Sequence, residues 1–111
     1  MAVSIGNAHD QYRSAPKIDH ERMIQLNKVS SIPLVLHGGS GIPDDDFRQL
    51  IKEGVCKINI STELMNGSAN GIKESIELGT YSMIDLCLAS KTGVKKVVAK
   101  RMDVFGSTGK A

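Results

Sequence analysis

Several things are missing from this sequence, and each absence excludes something. In its 111 residues no apolar run approaches the about 20 that a membrane-spanning helix needs. Met1–Ile5 has neither the basic start nor the long apolar core of a secretory signal. There are only two cysteines, Cys56 and Cys87, far apart and in no CxxC arrangement. That leaves no ligands for a zinc knuckle and reads as two free thiols in a reducing cytoplasm. A strong charge of one sign is also lacking: 14 Lys and Arg stand against 12 Asp and Glu, a net +2. Nucleic acid and acidic membrane are therefore not the default partners. The one basic cluster, Lys95, Lys96, Lys100 and Arg101, reads as a solvated helix face. No internal repeat of fixed period and no low-complexity tract occurs.

What is present is ordinary globular composition, 41% apolar and 23% charged, in a length suited to one small domain. The most informative stretch is Leu34-Val35-Leu36-His37-Gly38-Gly39-Ser40-Gly41. Ile32 to Leu36 is long enough for a buried strand and stops at His37. Three glycines and a serine follow, and Ile42-Pro43-Asp44-Asp45-Asp46-Phe47-Arg48 reads as a helix start. Strand, histidine, glycine-rich turn and helix is the form of a site at the carboxyl end of a parallel strand, where bare backbone N–H groups can approach an anion.

The rest of the chain repeats that alternation. Ala2 to Asn7 reads as a strand ending at His9, and Asp10 to Pro16 as a loop. Asp19 is the expected N-cap of a helix with Met23, Leu26 and Val29 on one face, closed by Ser30-Ser31. Asp44, Asp45 and Asp46 suit a helix dipole better than a metal, because consecutive helical side chains diverge. Phe47, Leu50 and Ile51 are that helix's core face, and Gly54 its stop. Val55 to Ile60 reads as a third strand with Asn59 near its tip. Thr62 is the expected cap of a helix carrying Leu64, Met65, Ile72 and Ile76, in which Gly67 and Gly71 each weaken helicity by about 1 kcal/mol relative to Ala. From Tyr81 on the pattern is helical, in one segment through Leu88 and another from Val94, with Gly93 expected to break or bend the chain between them. Phe105 to Ala111 is a frayed or docked tail. The order β-α-β-α-β-α-α predicts an α/β fold with parallel strands and right-handed crossovers.

His9 and His37 thus each end a strand, and the two strands are consecutive. Neighbouring parallel strands lie about 5 Å apart, so two imidazoles at their tips can converge on one ion. Asn59 sits on the same rim, with Gly38, Gly39, Ser40, Ser61 and Thr62 as N–H and hydroxyl donors. A cation beside an anion cradle suits a phosphorylated substrate with a polarised carbonyl. The alternatives stay open at this point: each histidine also reads as a hydrogen-bonded core or rim residue, the glycines as turn geometry, and Asn59 as the end of a strand. His20, beside Asp19, reads as a surface residue.

Three stretches carry a resemblance: Val3-Ser4-Ile5-Gly6-Asn7-Ala8-His9, Pro33 to Pro43 through His37-Gly38-Gly39-Ser40-Gly41, and Cys56-Lys57-Ile58-Asn59-Ile60-Ser61-Thr62-Glu63-Leu64. With the tail Phe105-Gly106-Ser107-Thr108-Gly109-Lys110-Ala111, they resemble the class II, zinc-dependent fructose-bisphosphate and tagatose-bisphosphate aldolases. The resemblance covers nearly the whole chain and corresponds to the last three β/α units of that family's (β/α)8 TIM barrel, plus C-terminal helices. It implies reversible cleavage of a ketose 1,6-bisphosphate into dihydroxyacetone phosphate and glyceraldehyde 3-phosphate. It implies Zn2+ held by three histidines, of which His9 and His37 are two. It also implies substrate-binding segments at Asp10, at Gly38, Gly39 and Ser40, and at Asn59, Ile60, Ser61 and Thr62, with Asn59 nearest the reacting end. No residue here matches the family's catalytic Asp or its adjacent zinc-binding His, so the isolated chain is expected to be inactive. Asp10 stands where the family usually has Gly, which puts a carboxylate near the phosphate site.

A non-catalytic reading competes with the enzymatic one: a partial barrel that self-associates or pairs with a complementary barrel half or a full-length aldolase, because three strands leave open edges. A different phosphate-binding β/α half-enzyme is the third reading, and it leaves His9 and His37 together unexplained.

Overall fold

A computed structural model describes residues 1–6 and 16–110, and the chain falls into two units, Met1–Ser61 and Thr62–Ala111. The strand end at Asn7 and His9 and the loop reading from Asp10 lie outside the described residues. The first unit is built on three short parallel strands, β1 (Ala2–Val3), β2 (Leu34–Leu36) and β3 (Val55–Ile58), in the order β1-β2-β3. The expected parallel α/β alternation is therefore present.

The central strand is shorter than its apolar run. Pro33 has no N–H to contribute to a ladder, and Ile32 is drawn into a turn, its N–H bonded to Ser30 Oγ at 3.3 Å and its carbonyl accepting from the same hydroxyl at 2.7 Å. Pairing starts at Leu34, opposite Val55, and an irregularity shifts the register so that Val35 and Leu36 face Lys57 and Ile58. Leu34 and Leu36 point into the core with Ile5, Met23, Phe47 and Leu50, all of them fully buried.

Between β1 and β2 runs α1 (His20–Val29), capped as the sequence predicts by Asp19, whose Oδ1 accepts from the Arg22 N–H at 2.9 Å. Its face is narrower than expected: Met23 is buried, but Val29 is 82% exposed. Between β2 and β3 runs α2 (Asp44–Lys52), with Phe47 and Leu50 on its buried face. Gly54 follows its C-cap with φ 110, a left-handed turn that an L side chain resists, leading straight into β3.

The second unit is a pair of antiparallel helices, α3 (Thr62–Glu77) and α4 (Met83–Phe105). Thr62 is the first residue of α3 rather than its cap. Gly93 does not break α4. It is buried inside one continuous 23-residue helix, where a Cβ would collide with the Gly67 carbonyl oxygen. Gly67 and Gly71 are buried on the facing surface of α3, and the Ser68 and Ser90 hydroxyls meet there at 2.7 Å. These glycines give up helix propensity in exchange for close backbone approach. The tail is capped rather than frayed: Gly106 is left-handed, its N–H bonds the Asp103 carbonyl, and the Ser107 N–H bonds the Met102 carbonyl at 2.9 Å, a Schellman motif.

Candidate active site

Leu36 is buried and is the last residue of β2, so His37 leaves the strand at its carboxyl tip. β3 ends one position short of Asn59. The two tips stay paired beyond the ladder. The Asn59 N–H donates to the Leu36 carbonyl at 2.9 Å, and the Gly39 N–H donates to the Asn59 carbonyl at 3.3 Å. This places the side chains together: Asn59 Nδ2 lies 2.9 Å from His37 Nε2. The amide is the donor in that contact and the imidazole nitrogen the acceptor.

The glycine-rich turn has separate reasons for its glycines. Gly38 and Gly41 adopt φ of 62 and 91, left-handed values. Gly39 has a different need, close approach: a Cβ there would lie 2.8 Å from Ile60 Cδ1, 3.1 Å from the Asn59 oxygen and 3.2 Å from Ile58 Cγ2. The Ile42 N–H returns to the Gly39 carbonyl at 3.3 Å and closes the turn, with Ile42 buried beneath it. Ser40 and Asn59 are half-buried, and Ser61 is exposed. His37, Gly38, Gly39, Ser40, Asn59, Ile60 and Ser61 therefore belong to two adjoining strand tips. Thr62 opens α3 in the second unit, and His9 and Asp10 lie outside the described residues.

The chemistry of the donors can be compared with a zinc site. Neutral imidazole at a strand tip is the right kind of ligand. Among the described residues no group of three His, Cys, Asp or Glu side chains could hold a metal ion, so His37 fits such a site in kind, and the described donors alone do not complete one.

One expectation needs refinement and one needs correction. His20 is partly exposed, as a surface residue is, but it is also paired: its Nδ1 lies 2.9 Å from Glu53 Oε2, and its Nε2 lies 3.8 Å from Asp46 Oδ1. Glu53 is itself buried and takes a second bond from Gln49 Nε2 at 2.8 Å. Arg101 is not part of a solvated basic face. It is 8% exposed and forks onto Glu63, Nε to Oε2 at 2.8 Å and Nη2 to Oε1 at 2.6 Å. Neither pairing has a local sequence signal, since the partners are 33 and 38 residues apart.

A parallel β/α sheet carrying an imidazole, an amide and a tightly packed glycine turn at adjoining carboxyl tips defines the class: a β/α protein with a strand-tip site. The family then follows from comparison. The profile of the fructose-bisphosphate aldolase class-II family matches residues 1–110, and the chain belongs to that family. Its fold is similar to the YdjI aldolase of Escherichia coli K12, at 38% identity and a TM-score of 0.89 over 99% of this chain and 40% of that one. It is also similar to a provisionally assigned fructose-1,6-biphosphate aldolase of Coccidioides immitis, at 28% identity and a TM-score of 0.88 over 98% of this chain and 38% of that one. The chain thus spans about two-fifths of the length of these relatives. No helix among the described residues is long and apolar enough to cross a membrane.

Proposed function

We propose that these residues form the last three β/α units of a class II aldolase barrel and carry part of its active site, acting on a ketose 1,6-bisphosphate in the cytoplasm. The observation that carries the reading is the junction of the β2 and β3 tips, where His37 and Asn59 meet at 2.9 Å beside Gly39, whose backbone is closely approached by the Asn59 carbonyl and Ile60. Family membership supports it.

In this reading His37 and His9 are zinc ligands. A bound zinc ion supplies a Lewis acid for the substrate carbonyl. Asn59 orients the reacting end of dihydroxyacetone phosphate by its amide. Gly38, Gly39 and Ser40, with Ile60, Ser61 and Thr62, hold the phosphate through backbone N–H groups and hydroxyls. Gly39 brings backbone close to backbone, so the cradle is set by main-chain geometry rather than by flexible side chains. By the family resemblance Asp10 takes a position usually held by Gly, and a carboxylate at a phosphate site weakens it for anions.

A catalytic zinc usually has three protein ligands and an open position. These 111 residues supply two, so turnover needs a complementary segment that brings a third histidine and a proton-transfer acid. Calorimetric titration of the chain with zinc tests the half-site. Binding that disappears in His37→Ala supports the reading, and binding unchanged in that variant removes His37 from the metal. Adding the complementary barrel segment in trans should then yield aldol cleavage. A folded, zinc-loaded mixture without cleavage would count against the enzymatic reading.

A further inference from the structure

We propose that Asn59 is a positioning residue for His37, its side-chain amide holding Nε2 so that the ring meets a metal ion through Nδ1. The proposal rests on the reading that His37 is a zinc ligand, and it gives Asn59 a task separate from orienting substrate. The observation is the 2.9 Å contact between Asn59 Nδ2 and His37 Nε2, two half-buried side chains. Which nitrogen of a histidine takes a metal is set by the hydrogen bond that the other nitrogen makes. The same partner fixes the orientation of the ring.

The strand tips do not need this contact to stay together. Main-chain bonds already join them, from the Asn59 N–H to the Leu36 carbonyl at 2.9 Å and from the Gly39 N–H to the Asn59 carbonyl at 3.3 Å. Alanine at position 59 would keep both. Those bonds tie the backbone of Asn59 to Leu36 and Gly39, which stand one residue before and two residues after His37. The amide therefore starts from a frame fixed to the same strand tip as the ring. An amide also suits the contact better than other short side chains. Its NH2 donates to Nε2 when the ring proton is on Nδ1, and its carbonyl accepts from Nε2–H when Nδ1 gives its lone pair to a cation. A half-turn of the amide exchanges the two states and leaves the ring in place. A carboxylate serves only the second state, and a methyl group serves neither.

The test is zinc binding to the full chain with no phosphorylated ligand present. It is read by calorimetry for the wild type, Asn59→Ala and Asn59→Asp, with the nitrogen-15 shifts of His37 recorded before and after zinc. Asn59→Ala should bind zinc about 10–100-fold more weakly, the usual cost of losing a group that orients a metal ligand. Asn59→Asp should bind at least as tightly as the wild type, and its ring should carry the proton on Nε2 before zinc is added. In zinc-loaded wild type the ring should keep a proton on Nε2 and ligate through Nδ1. Equal zinc affinity of the wild type and Asn59→Ala would overturn the proposal while leaving His37 a ligand and Asn59 a substrate-orienting group. Ligation through Nε2 would overturn it too, as would Asn59→Asp binding no better than Asn59→Ala. If circular dichroism shows Asn59→Ala to be unfolded, Asn59→Asp decides alone: affinity matching the wild type with an Nε2–H ring supports the proposal, and weaker binding overturns it. A wild type that takes no zinc, or whose zinc binding survives His37→Ala, is a separate result, since it overturns the ligand reading itself and the proposal with it.

Discussion

Asn59 donates its side-chain amide to His37 Nε2 across 2.9 Å, joining the tips of β3 and β2. An imidazole that accepts at Nε2 while neutral carries its proton on Nδ1. In the proposed site His37 would be a zinc ligand, and if it held the ion through this nitrogen its contact with the Asn59 amide would be displaced. In zinc-free protein the nitrogen-15 shifts of His37 should report the Nδ1–H tautomer. Adding zinc should move the Asn59 side-chain NH2 resonances, and should fail to do so in His37→Ala. An Nε2–H tautomer, or Asn59 signals indifferent to zinc, would separate this contact from metal binding.

Gly39→Ala tests the closeness of the two tips. The added methyl would sit 2.8 Å from Ile60 Cδ1 and 3.1 Å from the Asn59 oxygen. The Ile60 side chain can turn aside, but the Asn59 carbonyl is main chain already bonded to the Gly39 N–H. Overpacking of this kind costs about 1–3 kcal/mol. A lower urea midpoint at unchanged slope is the expected result, together with loss of the His37–Asn59 coupling seen by nitrogen-15 NMR. Wild-type stability in this variant would mean that the tips have slack and that Gly39 is not required for close approach.

These two sites also show what the sequence could and could not convey. His37 and the glycines were legible because a strand, a tip residue and a turn are consecutive, and local patterns report consecutive residues. Asn59 was legible for the same reason, from the end of an apolar strand. The strand lengths were not: Ile32 and Pro33 look apolar, yet Ser30 and the missing proline N–H remove them from the ladder. Gly93 misled because its low helix propensity is a local property, whereas its use, contact with Gly67, depends on a residue far along the chain. Arg101 misled in the same way, because it looked solvated and is buried; His20 is partly exposed as expected, and what the sequence left out was its partner. Each is claimed by a carboxylate that only the fold brings near.

The His20–Glu53 contact yields its own prediction. The Glu53 side chain is 5% exposed and bonded by both His20 and Gln49. It precedes Gly54 and so anchors the entry to β3 against the start of α1. Glu53→Ala leaves two donors without their acceptor in a half-dry environment, and a buried unsatisfied polar group costs about 1–3 kcal/mol. Glu53→Gln keeps an acceptor oxygen and should lose less than Glu53→Ala. Denaturant unfolding of the two variants checks the order. Equal losses would show that the volume of the side chain matters and its hydrogen bonds do not.

Gly93→Ala sets two physical effects against each other in a single experiment. In an isolated helix the change stabilises by about 1 kcal/mol, because alanine is the best helix former and glycine among the worst. In α4 the new methyl collides with the Gly67 carbonyl oxygen and crowds the Gly71 amide at 3.2 Å. Both obstacles are helix backbone, which moves only if α3 and α4 separate along their length. Asn70→Ala, on the exposed side of α3, isolates the propensity term: it should raise helix stability by a few tenths of a kcal/mol. Gly93→Ala should instead lower it, with faster amide exchange concentrated around Gly67, Gly71 and Gly93 and little change near the helix ends. If Gly93→Ala behaves like Asn70→Ala, the helices do not cross at these glycines, and the close-packed hairpin described for residues 62–110 is wrong.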